Sequence, residues 1–131
     1  MASEWSPDNE VYRFIASEIE TVPHLEALLL LWNSRPQPWT VANLCRRLYI
    51  PEEVARLLLE DLSRRQLVVE VEGGAEAYGY YSKSREQDQL LANLESTYRR
   101  ELVRVSTIIH RKPSASIRDF ARAFRITKER K

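Results

Sequence analysis

The sequence predicts a mainly α-helical, α+β fold: several helices around one modest core, with a single small antiparallel β-hairpin. The composition favours helices, because Leu, Ala, Glu and Arg are frequent and only three glycines occur in 131 residues. Apolar residues recur at helical i, i+3 and i+4 spacing through most of the chain. In residues 66–82, apolar and polar side chains alternate instead, on either side of a Gly-Gly pair. The length suffices for one small domain with flanking helices.

Two helices are predicted before the first loop. The first covers residues 9–21, where Val11, Phe14, Ile15 and Ile19 form an apolar stripe. Pro23 disfavours helical geometry at the residue before it and suits the first turn of a second helix, which ends near Asn33. We therefore expect residues 1–22 to form an N-terminal unit that is separate from the second helix.

A short helix, a three-residue turn and another helix follow the proline-containing loop "NSRPQPW". Thr40 is a good N-cap for the short helix, residues 41–48. After the turn "YIP" (49–51), the next helix begins at Pro51 and reaches Arg65. Its predicted inward face consists of Val54, Leu57, Leu58 and Leu62.

Residues 66–82 predict a hairpin. "QLVVEVE" (66–72) alternates and is rich in β-branched residues, "GGAEA" (73–77) turns, and "YGYYS" (78–82) returns. Residues 38–40 can supply a small additional strand. Short helix, turn, helix and hairpin come one after another in the order of a winged helix-turn-helix domain, which we assign to residues 23–83.

A long helix is predicted over residues 84–109, within a third segment that covers residues 84–110. At 26 residues it would span roughly 39 Å, more than the width of a small winged domain. Part of its apolar stripe must therefore meet another surface, and we predict a homodimer. The candidate seam residues are Leu102, Val105, Ile108 and Ile109. The alternative is that the first helix covers this stripe within one chain.

The segment 111–131 is basic and contains a short predicted terminal helix, "SIRDFARAFRIT". Ile117, Phe120 and Phe124 lie on one side of that helix and its arginines on the other. The charge is uneven along the chain: residues 1–98 hold 9 Lys/Arg and 16 Asp/Glu, and residues 99–131 hold 11 and 3. The basic end can fold onto the acidic body, pair with another copy, or contact a polyanion.

Residues 23–83 resemble the winged helix-turn-helix superfamily of bacterial transcription regulators, on the order and pattern of their elements. The ending "IRDFARAFRITK" also looks like a group of uncharacterised bacterial winged-helix proteins. The first resemblance implies a non-enzymatic regulator that binds double-stranded DNA through the second helix of the motif. The candidate DNA-binding residues are Arg46, Arg47, Arg56, Arg64, Arg65, Arg118, Arg122, Arg125 and Lys128.

Carboxylates on the expected reading surface favour a second interpretation. The second helix of the motif opens with Glu52 and Glu53, and the wing between Leu67 and Ser82 has no Lys or Arg. Carboxylates beside the DNA backbone oppose binding to phosphates. The alternative function is therefore an adaptor that binds a basic protein partner. Its candidate surface is Glu53, Glu60, Glu70, Glu72 and Glu76.

The sequence predicts neither an enzyme nor a metal or cofactor site. His24 and His110 are far apart and neither lies in a cluster with ligand spacing, while the single cysteine, Cys45, excludes a Cys-based zinc site. The apolar run "LEALLLLW" (25–32) is too short to cross a bilayer. We expect a cytoplasmic protein without a membrane partner.

Overall fold

Six helices and three short strands form the part of the chain that the computed structural model describes, residues 7–111, with side chains for residues 9–110. The elements are α1 (Pro7–Glu18), α2 (Val22–Asn33), β1 (Trp39–Thr40), α3 (Val41–Leu48), α4 (Glu52–Arg64), β2 (Val68–Val71), β3 (Ala77–Tyr80), α5 (Arg85–Arg100) and α6 (Leu102–Arg111). This is the predicted α+β fold. The helix predicted near the C-terminus lies outside the described residues.

Local capping fixes the helix-turn-helix. The side-chain oxygen of Thr40 accepts a hydrogen bond of 3.0 Å from the backbone N–H of Asn43, which caps α3 as predicted. Tyr49 ends α3 in the left-handed region, at φ 58° and ψ 45°, so the chain turns sharply there. Pro51 then precedes α4 in an extended conformation. The turn therefore holds α3 and α4 at a fixed angle.

The wing is the outer part of a three-stranded antiparallel sheet with the order β1-β3-β2. Trp39 pairs with Tyr78, and Val71 pairs with Ala77. Gly73 and Gly74 have φ values of 147° and 81° in the connecting turn, where a side chain would be strained. Both the hairpin and the small additional strand predicted near residues 38–40 are present.

The core joins the winged unit to the flanking helices. Its buried side chains come from all six helices and include Ile15, Leu28, Leu44, Leu59, Leu91 and Ile109. α1 packs mainly against α5 and α6. Because one cluster connects these elements, the two ends of the described chain stabilise each other.

The long helix predicted over residues 84–109 is divided into α5 and α6 at Glu101, whose φ of −125° and ψ of 45° are not helical. The change of direction lets α6 pack onto α1, where Val105 and Ile109 are 0% and 2% exposed. Leu102 remains 51% exposed. Of the seam candidates, Val105 and Ile109 are thus covered within one chain, and Leu102 and Ile108 keep exposed surface.

Candidate nucleic-acid interface

α4 lies at the surface with one face buried. Ala55, Leu58, Leu59 and Leu62 form that inner face. Val54 and Leu57, which we expected to face inward, are instead 42% and 64% exposed. The physical reason is that three consecutive leucines, 57–59, allow two apolar faces at helical spacing. The face that begins at the small Ala55 and continues through Leu59 is the one that packs against the core. The outward face of α4 is therefore partly apolar.

Arg56 joins α4 to the wing. Its Nε donates to both carboxylate oxygens of Glu76, at 3.2 and 3.1 Å, and its Nη2 donates to Glu76 Oε1 at 2.9 Å and to Glu52 Oε2 at 3.1 Å. The hydrogen bond and charge of Glu76 raise the pKa of Arg56, and the hydrogen bond from Arg56 lowers the pKa of Glu76. Arg56, a candidate DNA contact, is thus engaged by two carboxylates.

This contact predicts how Glu76 titrates. A carboxyl whose pKa is lowered by folding stabilises the fold above its unfolded pKa, and this contribution is lost as the pH falls through the lowered value. We expect a ¹³C NMR titration to place the pKa of Glu76 below 4.5. In Arg56→Gln the pKa should rise toward the ordinary value of a glutamate, whereas the control Arg47→Gln should leave it unchanged. An ordinary pKa in the unmodified protein would contradict the contact between α4 and the wing.

Arg65 is engaged by the body of the protein. Its guanidinium donates to Asp61 Oδ2 at 3.0 Å, Glu18 Oε1 at 3.2 Å, Glu20 Oε2 at 3.2 Å and the backbone oxygen of Ser17 at 3.1 Å. Burial lowers the pKa of Arg65, but hydrogen bonds and charges from Asp61 and Glu18 outweigh it, so the pKa is raised. This candidate DNA contact therefore links α4 to the end of α1.

Glu20, His24 and Asp61 place potential metal-ligand atoms within 4.8 Å of one another. The His24 ring is itself held, with Nε2 3.4 Å from Asp61 Oδ2 and Nδ1 2.6 Å from Thr21 Oγ1. Since Arg65 already pairs with both carboxylates, the cluster has its own positive charge. It is best explained as an ion-pair network. Sequence spacing did not indicate it, because Glu20 and Asp61 lie 41 positions apart.

The exposed basic side chains lie at the ends of the two motif helices. Arg46 and Arg47 are exposed in the last turn of α3, and Tyr49 beyond them is 93% exposed. We call these three residues the α3 patch; Tyr49 was not among the predicted contacts. Arg64, at the end of α4, is 71% exposed, and its Nη2 lies 3.3 Å from Asp61 Oδ1. The remaining candidates, Arg118, Arg122, Arg125 and Lys128, lie outside the described residues.

The acidic candidates surround α4 and the wing. Residues 52–80 contain seven Asp/Glu and three Arg, and all three arginines form salt bridges within the described fold. Four of the five acidic candidates form no salt bridge with any residue in the described range 9–110, namely Glu53, Glu60, Glu70 and Glu72. The surface of α4 and the wing is therefore acidic within the described residues.

Comparison with known proteins identifies the fold. No family model matches the chain, and no curated protein does. The heme sensor protein PefR from Streptococcus agalactiae matches with a TM-score of 0.55 at 12% identity, over 94% of this chain and 82% of that one. The repressor MarR from Listeria monocytogenes matches at 0.52 and 16% identity, over 93% and 79%. RV1404 from Mycobacterium tuberculosis matches at 0.52 and 16%, over 94% and 80%.

These similarities confirm the predicted winged helix-turn-helix fold. At 12–16% identity they show the fold and leave the activity to be argued from the residues. None of the helices in residues 7–111 combines the length and hydropathy needed to cross a membrane.

Proposed function

We propose that this chain is a non-enzymatic, DNA-binding transcriptional regulator that acts through its winged helix-turn-helix unit. The α3 patch carries the proposal. In helix-turn-helix proteins the first motif helix crosses the DNA backbone while the second enters the major groove. Arg46 and Arg47 are exposed at the end of that first helix, and Tyr49 lies in the turn between the two. This arrangement suits contacts with phosphates.

α4 contributes less to affinity under this proposal. Its first turn holds Glu52 and Glu53, and glutamates beside the backbone oppose phosphate binding. A glutamate can still accept a hydrogen bond from a cytosine amino group, so that α4 can read bases while arginines elsewhere bind the backbone. Arg64 and the basic tail residues Arg118, Arg122, Arg125 and Lys128 are the further proposed phosphate contacts.

We also propose that the regulator is a cytoplasmic homodimer. Leu102 and Val103 on α6 are 51% and 79% exposed, and Ile108 is partly exposed. These apolar side chains are available to a second copy, unlike Val105 and Ile109. Symmetric dimers match the two-fold symmetry of operator half-sites.

Salt-dependent binding of random-sequence duplex DNA tests the proposal by fluorescence anisotropy. The slope of log K against log salt measures the number of phosphates contacted, at about 0.9 per contact. Replacing both Arg46 and Arg47 with alanine should reduce this slope by about 2. A control replaces Arg13 on α1 and Arg85 on α5, which are also exposed and lie outside the helix-turn-helix, and should leave the slope unchanged.

An unchanged slope in the Arg46/Arg47 variant would place the α3 patch away from the DNA. No binding by the unmodified protein at low salt would contradict the DNA proposal itself. That result would favour the second candidate function, an adaptor that binds a basic protein partner. The specific support for the adaptor is that Arg56 and Arg65 are engaged by carboxylates while Glu53 and Glu60 face the surface.

A further inference from the structure

A groove of about 690 Å³ lies between α4 and the turn that joins α1 to α2. Its apolar lining is Pro23, Val54, Leu57 and Leu58, and the carboxylates of Glu20 and Asp61 lie at its edge. We call these six residues the α4 groove. The side chain of Leu57 is 64% exposed there. Within residues 7–111 the groove is thus an apolar surface that no other element covers.

The charge around the groove selects the kind of occupant. The arginines that line it, Arg64 and Arg65, already pair with carboxylates of the same protein. Glu53 and Glu60 on α4 form no salt bridge with any described residue. A segment with apolar residues on one face and cations on the other would fill the groove and neutralise these glutamates.

The chain itself carries a segment of this chemistry. Residues 112–131, "KPSASIRDFARAFRITKERK", contain seven Lys/Arg against two Asp/Glu. Ile117, Phe120 and Phe124 are spaced as on one face of a helix, with the arginines elsewhere. The segment follows α6 directly; with residues 112–116 extended and the next turn helical, Phe120 can lie about 20 Å from the end of α6. This distance exceeds the radius of gyration of a unit of this size, about 13 Å, so much of its surface is within reach.

We propose that residues 112–131 dock in the α4 groove of the same chain, with Phe120 and Phe124 against Val54 and Leu57 and the arginines beside Glu53 and Glu60. Docking competes with entry of α4 into a DNA groove, because the docked segment would cover Arg64 and neutralise Glu53 and Glu60. The basic segment then acts as an intramolecular ligand of the motif helix. This proposal does not depend on whether the protein binds DNA.

Disulfide trapping in the full-length protein tests the docking directly. In a Cys45→Ser background, Leu57→Cys and Phe124→Cys should form an intramolecular disulfide under mild oxidation, detected as a faster-migrating monomer on a non-reducing gel. The control pair is Ala92→Cys with Phe124→Cys, since Ala92 is exposed on α5. Chain entropy alone favours the control, because its loop is much shorter. Slower trapping in the control than in the Leu57 pair is the expected result.

Equal or faster trapping in the control would overturn the proposal. Disulfide-linked dimers without the monomeric product would also overturn it, because they would assign the groove to a second copy.

A second measurement uses trypsin, which cleaves after the arginines of the tail. Leu57→Asp should accelerate cleavage within residues 112–131 at least tenfold, whereas Ala92→Asp, on α5, should leave the rate unchanged. Both side chains are exposed, so neither substitution removes a core contact. Equal cleavage rates in the unmodified protein and Leu57→Asp would contradict docking. Neither experiment contains DNA, so failure here is distinct from failure of the proposed function.

Discussion

Arg65→Met should lower the free energy of unfolding by about 2 kcal/mol, because removing one member of a partly buried ion-pair network leaves the other charges uncompensated. Arg65 is 24% exposed and is the shared partner of Asp61, Glu18 and Glu20, whose side chains are 15%, 37% and 9% exposed. Methionine keeps much of the length of the side chain and removes only the charge and the donors. Urea unfolding at neutral pH measures the loss.

The neighbouring arginine provides the matched control. Arg64 is 71% exposed and pairs only with Asp61 among its described salt bridges. Arg64→Met should therefore cost less than about 1 kcal/mol, the usual range for an exposed pair. Arg65→Lys should recover part of the loss, because it restores the charge without the planar fork that reaches several carboxylates. A loss below about 1 kcal/mol in Arg65→Met would mean that water already solvates the network.

Ile109→Ala should lower the free energy of unfolding by about 3 kcal/mol, in the range found for truncating a fully buried aliphatic side chain. Ile109 is 2% exposed and belongs to the core cluster that joins α6 to the first two helices. Leu102→Ala, at a half-exposed position of the same helix, should cost about 1 kcal/mol or less. Urea unfolding at two protein concentrations provides the measurement.

The concentration dependence distinguishes packing of α6 within one chain from packing between two copies. If Ile109 is buried within one chain, the loss of unfolding free energy in Ile109→Ala does not depend on protein concentration. A loss that grows on dilution would instead place Ile109 between two copies, in agreement with the dimer seam predicted from the sequence. Leu102 and Val103 are the positions at which a change in oligomeric state is expected.

Local signals predicted the helix-turn-helix and the wing. Thr40 and Pro51 mark helix starts by capping and by the fixed φ of proline, and the Gly-Gly pair marks the hairpin turn. The break at Glu101 was not predictable in this way, because residues 99–103 contain neither Gly nor Pro. It depends on the packing of Val105 and Ile109 against elements distant in sequence. The outward position of Leu57 likewise depends on which of two stripes packs.

The candidate site was predictable only in its local part. The sequence places Arg56 within helical reach of Glu52, and that pair is present at 3.1 Å. The pairing of Arg56 with Glu76, 20 positions away, depends on the fold, as does that of Arg65 with Glu20, 45 positions away. These long-range pairs decide which arginines remain available to a ligand. Sequence pattern alone therefore does not show that Arg56 and Arg65 pair with distant carboxylates of the same chain.

The packing of α1 on α5 and α6 also bears on how the chain folds as it is synthesised. Val11, Ile15 and Ile19 are fully buried, yet most of the surface that covers α1 is supplied by residues 85–111. The apolar face of α1 thus leaves the ribosome long before the helices that cover it. Such delayed, long-range closure slows folding and exposes apolar surface to aggregation or chaperone binding in the meantime. Nascent chains that end before residue 102 lack α6, so α1 cannot complete its packing until the last helix of the described fold has been made.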